Sequence, residues 1–152
     1  MQDNTVSDNA YTGPNGASSG GVLVFGGPFF GVGVPYTTGV QVVHNTLTNN
    51  DVGIYLYNAD AQGNAPKTQT KNGAVNNTIA NTLGDRNTTG CGSSLGYQAG
   101  ISEFGTKDNI VNNKISGSGY TPSSPPVCSG TGTWKTQIDT SGVEKVHLKN
   151  NK

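Results

Sequence analysis

The chain has 152 residues, enough for one hydrophobic core and short for two. Only 32% of it is hydrophobic and 12% charged, while glycine alone supplies 23 residues, which excludes a helical protein built on long amphipathic stripes. Nine basic residues, one of them the lone arginine Arg86, balance nine acidic ones and are spread along the sequence, so no nucleic-acid partner is expected.

No run approaches the roughly twenty apolar residues that span a bilayer, and no membrane span is expected. The opening MQDNTVSDN is not a basic segment followed by an apolar one, which leaves an intracellular chain or one whose leader has been removed. Two classes remain, all-β and disordered. Clusters of β-branched and aromatic residues (VLVF at 22–25, GVQVV at 39–43, GIYLY at 53–57) decide for all-β.

From the N-terminus onward two motifs alternate. The first stands at Asn4-Thr-Val6 and returns as Asn45-Thr-Leu47, Asn77-Thr-Ile79 and Asn113-Lys-Ile115, with Asn150 as a fifth copy. Two positions before the later asparagines stand Val43, Val75, Val111 and Leu148. A period of two on extended backbone predicts that the apolar residues on both sides of the asparagine point inward.

The second motif begins at Gly21-Val-Leu-Val-Phe25 and returns as Gly53-Ile-Tyr-Leu-Tyr57, Gly100-Ile-Ser-Glu-Phe104 and Gln137-Ile-Asp-Thr-Ser141. Copies of the first motif recur 32 to 41 residues apart, and loops at 26–38, 58–72, 84–99 and 117–136 take up the irregular lengths. A fixed strand repeat with variable loops predicts a solenoid, its coils stacked through parallel hydrogen bonds about 4.8 Å apart. Stacking turns the asparagines into a ladder of amides bonding from coil to coil. Asparagine also tolerates the left-handed backbone of a sharp bend.

The stretch from Gly100 to Ile115, GI-x-x-x-G-x-x-x-N-x-V-x-N-x-I, resembles the right-handed parallel β-helix repeat of the pectate-lyase-like superfamily, including its NosD-like proteins. The resemblance covers most of the chain outside the loops. It implies the architecture more than an activity, since the superfamily holds polysaccharide lyases, glycoside hydrolases, epimerases and phage tailspikes.

Cys91 and Cys128 each lie ten residues before the inward isoleucine of the next strand, Ile101 and Ile138. Stacked coils would bring them together, and a disulfide there would contribute about 4 kcal/mol on the chain-entropy model. Two free thiols in polar loops is the alternative. A disulfide places the protein outside the cell or at its surface. Matching Gly105 to Gly142 sets Lys107 beside Glu144 and Asp108 beside Lys145, two opposite-charge pairs worth about 0.2–1 kcal/mol each.

Alternation in the second motif points Val22, Ile54, Ile101 and Ile138 inward. It makes Leu23, Tyr55, Ser102 and Asp139 one outward row, and Phe25, Tyr57, Phe104 and Ser141 the next. Phe25, Tyr55, Tyr57 and Phe104 are therefore candidate sugar-binding residues, because the C–H face of a pyranose lies well on an aromatic plane. The plainer reading is an aromatic stack under a loop such as 28–36. Glu103 breaks the pattern by pointing into the core. Either the strand bulges and turns it outward beside Asp139, or its partner is buried with it. Glu103 and Asp139 side by side would make the acid and base, or acid and nucleophile, of a glycosidase, or alternatively hold Ca²⁺. No Cys/His metal spacing, serine triad or phosphate loop is present, and neither a metal nor a cofactor is otherwise expected.

The sequence thus predicts one all-β domain over residues 1–152, a right-handed parallel β-helix of about four to five coils with long inserted loops on one side. Neither end reads as a cap, so a segment of a longer protein, or one that oligomerises through its coil ends or the Phe29-Phe30 loop, is expected. The expected function is an exported, secreted or cell-surface domain that interacts with a polysaccharide or other glycan, either inside a lyase or hydrolase or as a non-catalytic adhesive module.

Overall fold

The computed structural model of the protein describes residues 1–10, 19–83, 97–120, 135–141, 143 and 145–152. Its strands are β1 (Thr5–Ser7), β2 (Gly20–Gly26), β3 (Gln41–Val43), β4 (Thr46–Thr48), β5 (Val52–Asn58) and β6 (Gly73–Val75), followed by β7 (Thr78–Ala80), β8 (Gln98–Phe104), β9 (Asn109–Val111), β10 (Lys114–Ser116), β11 (Lys135–Asp139) and β12 (His147–Lys149). They form three four-stranded parallel sheets: β3-β6-β9-β12, β1-β4-β7-β10 and β2-β5-β8-β11. Gln2 adds a bridge to Val43 at the edge of the first. Successive strands of the chain visit the three sheets in turn, so each sheet gains one strand per circuit, an arrangement compatible with a β-helix solenoid. No helix among the described residues is long and apolar enough to cross a membrane.

Each three-residue strand sends one side chain inward. Val42, Ala74 and Ile110 from the first sheet and Leu47, Ile79 and Ile115 from the second are buried, and they meet Val22, Ile54 and Ile101 of the third. These inward residues stack in register, Val42 on Ala74 on Ile110 and Ile54 on Ile101. The core is a column of aliphatic side chains, one layer per circuit.

Between each strand of the first sheet and the next strand of the second lie two residues. The first of the two is left-handed in every copy: Asp3 (φ 56°), His44 (56°), Asn76 (55°), Asn112 (56°) and Asn150 (53°). This corner corrects the expectation drawn from strict alternation. A left-handed residue breaks the period of two, so the inward residue lies three before the ladder asparagine, and Val43, Val75 and Val111 are half-buried on the outside. Left-handed backbone falls on the residue before the ladder asparagine, not on that asparagine.

The ladder itself is five members long. The backbone N–H and side-chain amide of Asn4 both donate to Asn45 Oδ1 (3.0 and 2.9 Å). Asn45 does the same to Asn77 (2.9 and 3.0 Å), Asn77 to Asn113 (3.0 and 2.9 Å), and Asn113 to Asn151 (3.0 and 3.0 Å). Asn45, Asn77 and Asn113 are buried, so these bonds satisfy backbone groups that the corner would otherwise orphan. A second, shorter ladder follows the third sheet: Val40 N–H donates to Asn72 Oδ1 (2.9 Å), and Asn72 N–H to Asp108 Oδ1 (2.8 Å).

The fifth ladder member is Asn151, one residue later than expected. β11 pairs with β8 as Ile138 on Ile101, whereas β12 pairs with β9 as His147 on Asn109 and Leu148 on Ile110. From Ile138 to His147 the chain therefore takes one residue more than from Ile101 to Asn109. That extra residue stacks Asn150 over Asn112, whose side chains bond at 3.2 Å. It also sets Lys145 over Lys107 and Val146 over Asp108, so the expected charge pairs are replaced by a different register; Glu144 lies outside the described residues.

The long connections do not leave from one side. Residues 8–19, 81–97 and 117–134 precede strands of the third sheet, and 27–40 and 59–72 follow them. The inserted loops thus bracket the long strands of the third sheet from both ends.

Candidate functional site

The outer face of the third sheet carries the predicted aromatic row. Pairing of β2 with β5 and of β5 with β8 sets Phe25, Tyr57 and Phe104 in register, and beside them Leu23, Tyr55 and Ser102, with Asp139 completing that second row. Tyr57 and Phe104 stack at 4.9 Å between centroids with 15° between planes. Phe25 meets Tyr55 edge-on at 5.5 Å and Tyr57 at 5.8 Å.

Both sequence readings of this row find a counterpart here. A single 3₁₀ turn at Pro28–Phe30 folds the loop back and lays Phe30 flat on Phe25 (5.1 Å, 18°), with Phe29 edge-on behind it. The loop therefore packs on the row, but it does not close it. Phe25 and Phe30 each remain 42% exposed and Phe29 54%. A groove of about 490 Å³ runs between the turn and the sheet, lined by Leu23, Phe25, Phe29, Phe30, Tyr55 and Tyr57 with Asn9, Ser19 and Gly20 at its rim.

On the other side of Tyr55 and Tyr57 lies a second recess of about 290 Å³, which sets aromatic rings beside the polar residues Ser102, Asp139 and Ser141. Here Tyr97, just ahead of β8, reaches across the sheet. Its hydroxyl lies 2.9 Å from Ser102 Oγ and donates to Asp139 Oδ2 at 2.7 Å. Burial, reinforced by the Asp139 carboxylate, holds the Tyr97 phenol far above its ordinary range, so it stays a donor. Asp139 Oδ1 accepts the Ser141 N–H at 2.9 Å, which leaves the carboxylate oriented by two bonds on the outer face.

Glu103 lines this recess as well, but its side chain turns away from it. It is 2% exposed, points into the coil opposite Leu56 in the neighbouring strand, and accepts the Gly105 N–H at 2.7 Å. Its partner is buried with it: Asp108, fully enclosed, whose Oδ1 accepts from the Thr70 hydroxyl (2.5 Å) and from Asn72 N–H. Burial, then the charge of Asp108, pushes the Glu103 carboxyl up to about 9. Burial also raises Asp108. The structure places Glu103 and Asp139 on opposite sides of one sheet and does not bring them together as a carboxylate pair or a cation site. Among the described residues no three His, Cys, Asp or Glu side chains gather in a metal-ligating group. Cys91 and Cys128 lie outside the described residues.

No family model, curated protein or solved structure matches this chain. The site must be read from its own geometry.

Sequence reasoning set the 28–36 loop over the row without singling out Phe30, and it missed Tyr97 and the burial of Asp108. Tyr97 sits at the end of a long loop with no periodic signal, and Phe30 packs through a turn that alternation does not describe. Asp108 was readable: Thr70-Lys71-Asn72 recurs as Thr106-Lys107-Asp108, which marks an acid replacing an asparagine at a repeated buried position.

Proposed function

We propose that the chain is an exported, right-handed parallel β-helix of about four to five coils, similar to the pectate-lyase-like proteins, whose third sheet binds a polysaccharide on its outer face. The observation that carries this is the register of Phe25, Tyr57 and Phe104 on three successive strands beside an open groove. The ring edges left at the groove by these stacked aromatics, with the exposed parts of Phe25, Phe29 and Phe30, offer apolar surface to the C–H groups of sugars. The Tyr97, Ser102 and Asp139 cluster at one end supplies hydroxyl and carboxylate groups of the kind that orient sugar hydroxyls.

Recognition without cleavage is the reading favoured here. Hydrolysis by two carboxylates needs both on the substrate's side of the sheet, and Glu103 faces the core while Asp139 faces out. Affinity electrophoresis of the purified chain against a panel of neutral and acidic polysaccharides tests the proposal, with product reducing ends measured in the same samples. Retardation by at least one polysaccharide, weakened about tenfold or more by Tyr57→Ala and Phe25→Ala, is the expected result, in line with the cost of losing one stacked aromatic. Retardation by none of them, or retardation that Tyr57→Ala leaves untouched, refutes it.

The exposed Phe29 and Val32, the latter 106% exposed, favour a second reading in which this loop tip joins copies of the chain. Concentration-dependent sedimentation that disappears in a Phe29→Ser, Val32→Ser double variant would support assembly.

A further inference from the structure

The registers of the first sheet stack Gln41, Gly73, Asn109 and His147 on one another. Two residues before each of these stand Gly39, Lys71, Lys107 and Lys145, which therefore form a column at the corner between the third and first sheets. All four are left-handed, with φ of 72°, 53°, 58° and 65°. The three lysines are exposed.

Lysine is a costly choice at these positions for two separate reasons. Left-handed backbone suits glycine, as at Gly39, or asparagine, as at Asn76 and Asn112 one strand later; a lysine side chain offers the bend no local hydrogen bond in return. Like charges stacked at the strand spacing of about 4.8 Å also repel. The extra residue before β12 decides the outcome, because a turn of the preceding length would have set Glu144 over Lys107. Asp108, the neighbouring acid, does not neutralise the column: it is buried and bonded to Thr70 and Asn72. Backbone strain and charge repulsion that coincide at repeated positions motivate a functional reading of the column.

We propose that the column is a binding strip for a sulfated polysaccharide laid along the stacking direction, a proposal that rests on the glycan-binding reading above and adds a second contact surface to it. Lys71, Lys107 and Lys145 line a shallow groove of about 620 Å³ together with Asn109, Val146 and His147. The lysines repeat along the stack at the strand spacing of about 4.8 Å, close to the length of one sugar in a linear glycan. Lysine presents a point charge with three donors, which suits the tetrahedral oxygens of a sulfate ester; the planar fork that pairs a carboxylate bidentately belongs to arginine, and the one arginine of the chain is not in the column.

The experiment compares dextran sulfate with unsulfated dextran of equal length on the intact chain, at low and high salt. Dextran sulfate should bind and dextran should not bind at the column, with affinity falling steeply as salt rises. Lys107→Gln should weaken dextran sulfate roughly fivefold, about the worth of one lysine–anion contact, and the triple change Lys71→Gln, Lys107→Gln, Lys145→Gln should abolish it. Lys107→Asn separates function from structure: it should raise the melting temperature, by relieving strain and repulsion, while weakening dextran sulfate. Binding that survives the triple change, absence of binding to dextran sulfate, or tighter binding of single-stranded nucleic acid than of dextran sulfate each overturns the proposal. Tyr57→Ala reports on the aromatic face independently. Glycan binding lost in Tyr57→Ala and unaffected by all lysine variants would reject the column and leave the aromatic face standing.

Discussion

Glu103 and Asp108 are buried together inside the coil, where burial and then the Asp108 charge keep the proton on Glu103. A protonated Glu103 can donate to Asp108. With both ionised, Glu103 Oε2 and Asp108 Oδ2 would have no partner at all, since neither atom receives another hydrogen bond. The pair is therefore an acid and its conjugate base sharing one proton beneath Gly105, whose missing side chain leaves the room: a Cβ there would lie 2.5 Å from Asp108 Oδ2.

Stability should fall as pH rises. Glu103 keeps its proton in the folded chain up to about 9 and loses it near the ordinary 4.5 when unfolded. The folded state thus binds more protons than the unfolded one across that window, and the stabilisation present below about pH 4.5 is lost progressively up to about pH 9, on the order of a few kcal/mol. Urea midpoints measured across this range should decline. In Glu103→Gln the amide replaces the shared proton, donates to Asp108 and accepts from Gly105 N–H, so the decline should flatten and the variant should exceed the parent above pH 8 by about 1–3 kcal/mol. An equally steep decline in the variant would assign the pH dependence elsewhere.

Asn77→Ala should destabilise the chain by about 2–4 kcal/mol. The asparagine Oδ1 receives both the N–H and the amide of Asn45, and its own amide donates to Val42 O at 2.9 Å and Asn113 Oδ1. Truncation leaves buried donors and an acceptor unpaired, at about 1–3 kcal/mol each before relaxation. Asn77→Asp should be no better, because a carboxylate would face the acceptors Val42 O and Asn113 Oδ1. Chemical denaturation of the two variants checks both, and Asn77→Asp matching the parent would show that the amide donors contribute nothing.

Gly53→Ala should cost about 1–3 kcal/mol through overpacking. Gly21, Gly53 and Gly100 occupy the same place in successive long strands, where the backbone presses on the second sheet's inward residue. A Cβ at Gly53 would lie 2.5 Å from Ile79 Cγ2 and a Cβ at Gly100 2.5 Å from Ile115 Cγ2. Ile79→Ala removes the Cγ2 that the new Cβ would strike, so the double variant Gly53→Ala, Ile79→Ala should cost less than the sum of the two single changes, and a thermal melt distinguishes this from simple addition.

Tyr97→Phe should lower stability by about 1 kcal/mol and loosen the polar end of the face. The change removes the hydroxyl that joins Ser102 to Asp139. Amide hydrogen exchange at residues 98–102 should speed up in the variant while exchange in β5 stays slow. Equal protection in both chains would mean that the hydroxyl bridge holds nothing in place.

Periodicity made most of this architecture legible. The inward row Val22, Ile54, Ile101, the outward row Phe25, Tyr57, Phe104 and the buried asparagines follow from alternation and spacing alone, because an aliphatic core one layer thick leaves each position only two faces to choose from. What alternation could not supply was the phase at each corner. A left-handed residue such as Asn112 resets the count, and one added residue before β12 shifts Asn151 and Lys145 into the stack in place of Asn150 and Glu144. The candidate site was legible in its strand residues and hidden in its loop residues. Phe30 and Tyr97 reach the sheet through irregular backbone, and Glu103 announced its burial but not that Asp108 would share its proton.

The corner between the first and second sheets keeps its length of two residues from copy to copy, while the connections at the other two corners vary in length. That constancy makes a circuit of the chain interchangeable. Removing 41–72 as a block would bring Asn4 against Asn77 across an unchanged seam, and copying it would add a layer without a new contact to invent. Recombination can therefore lengthen or shorten such a gene in whole-layer steps, and the four positions of seven that VNNTIAN at 75–81 shares with VNNKISG at 111–117 are a trace that such copying would leave.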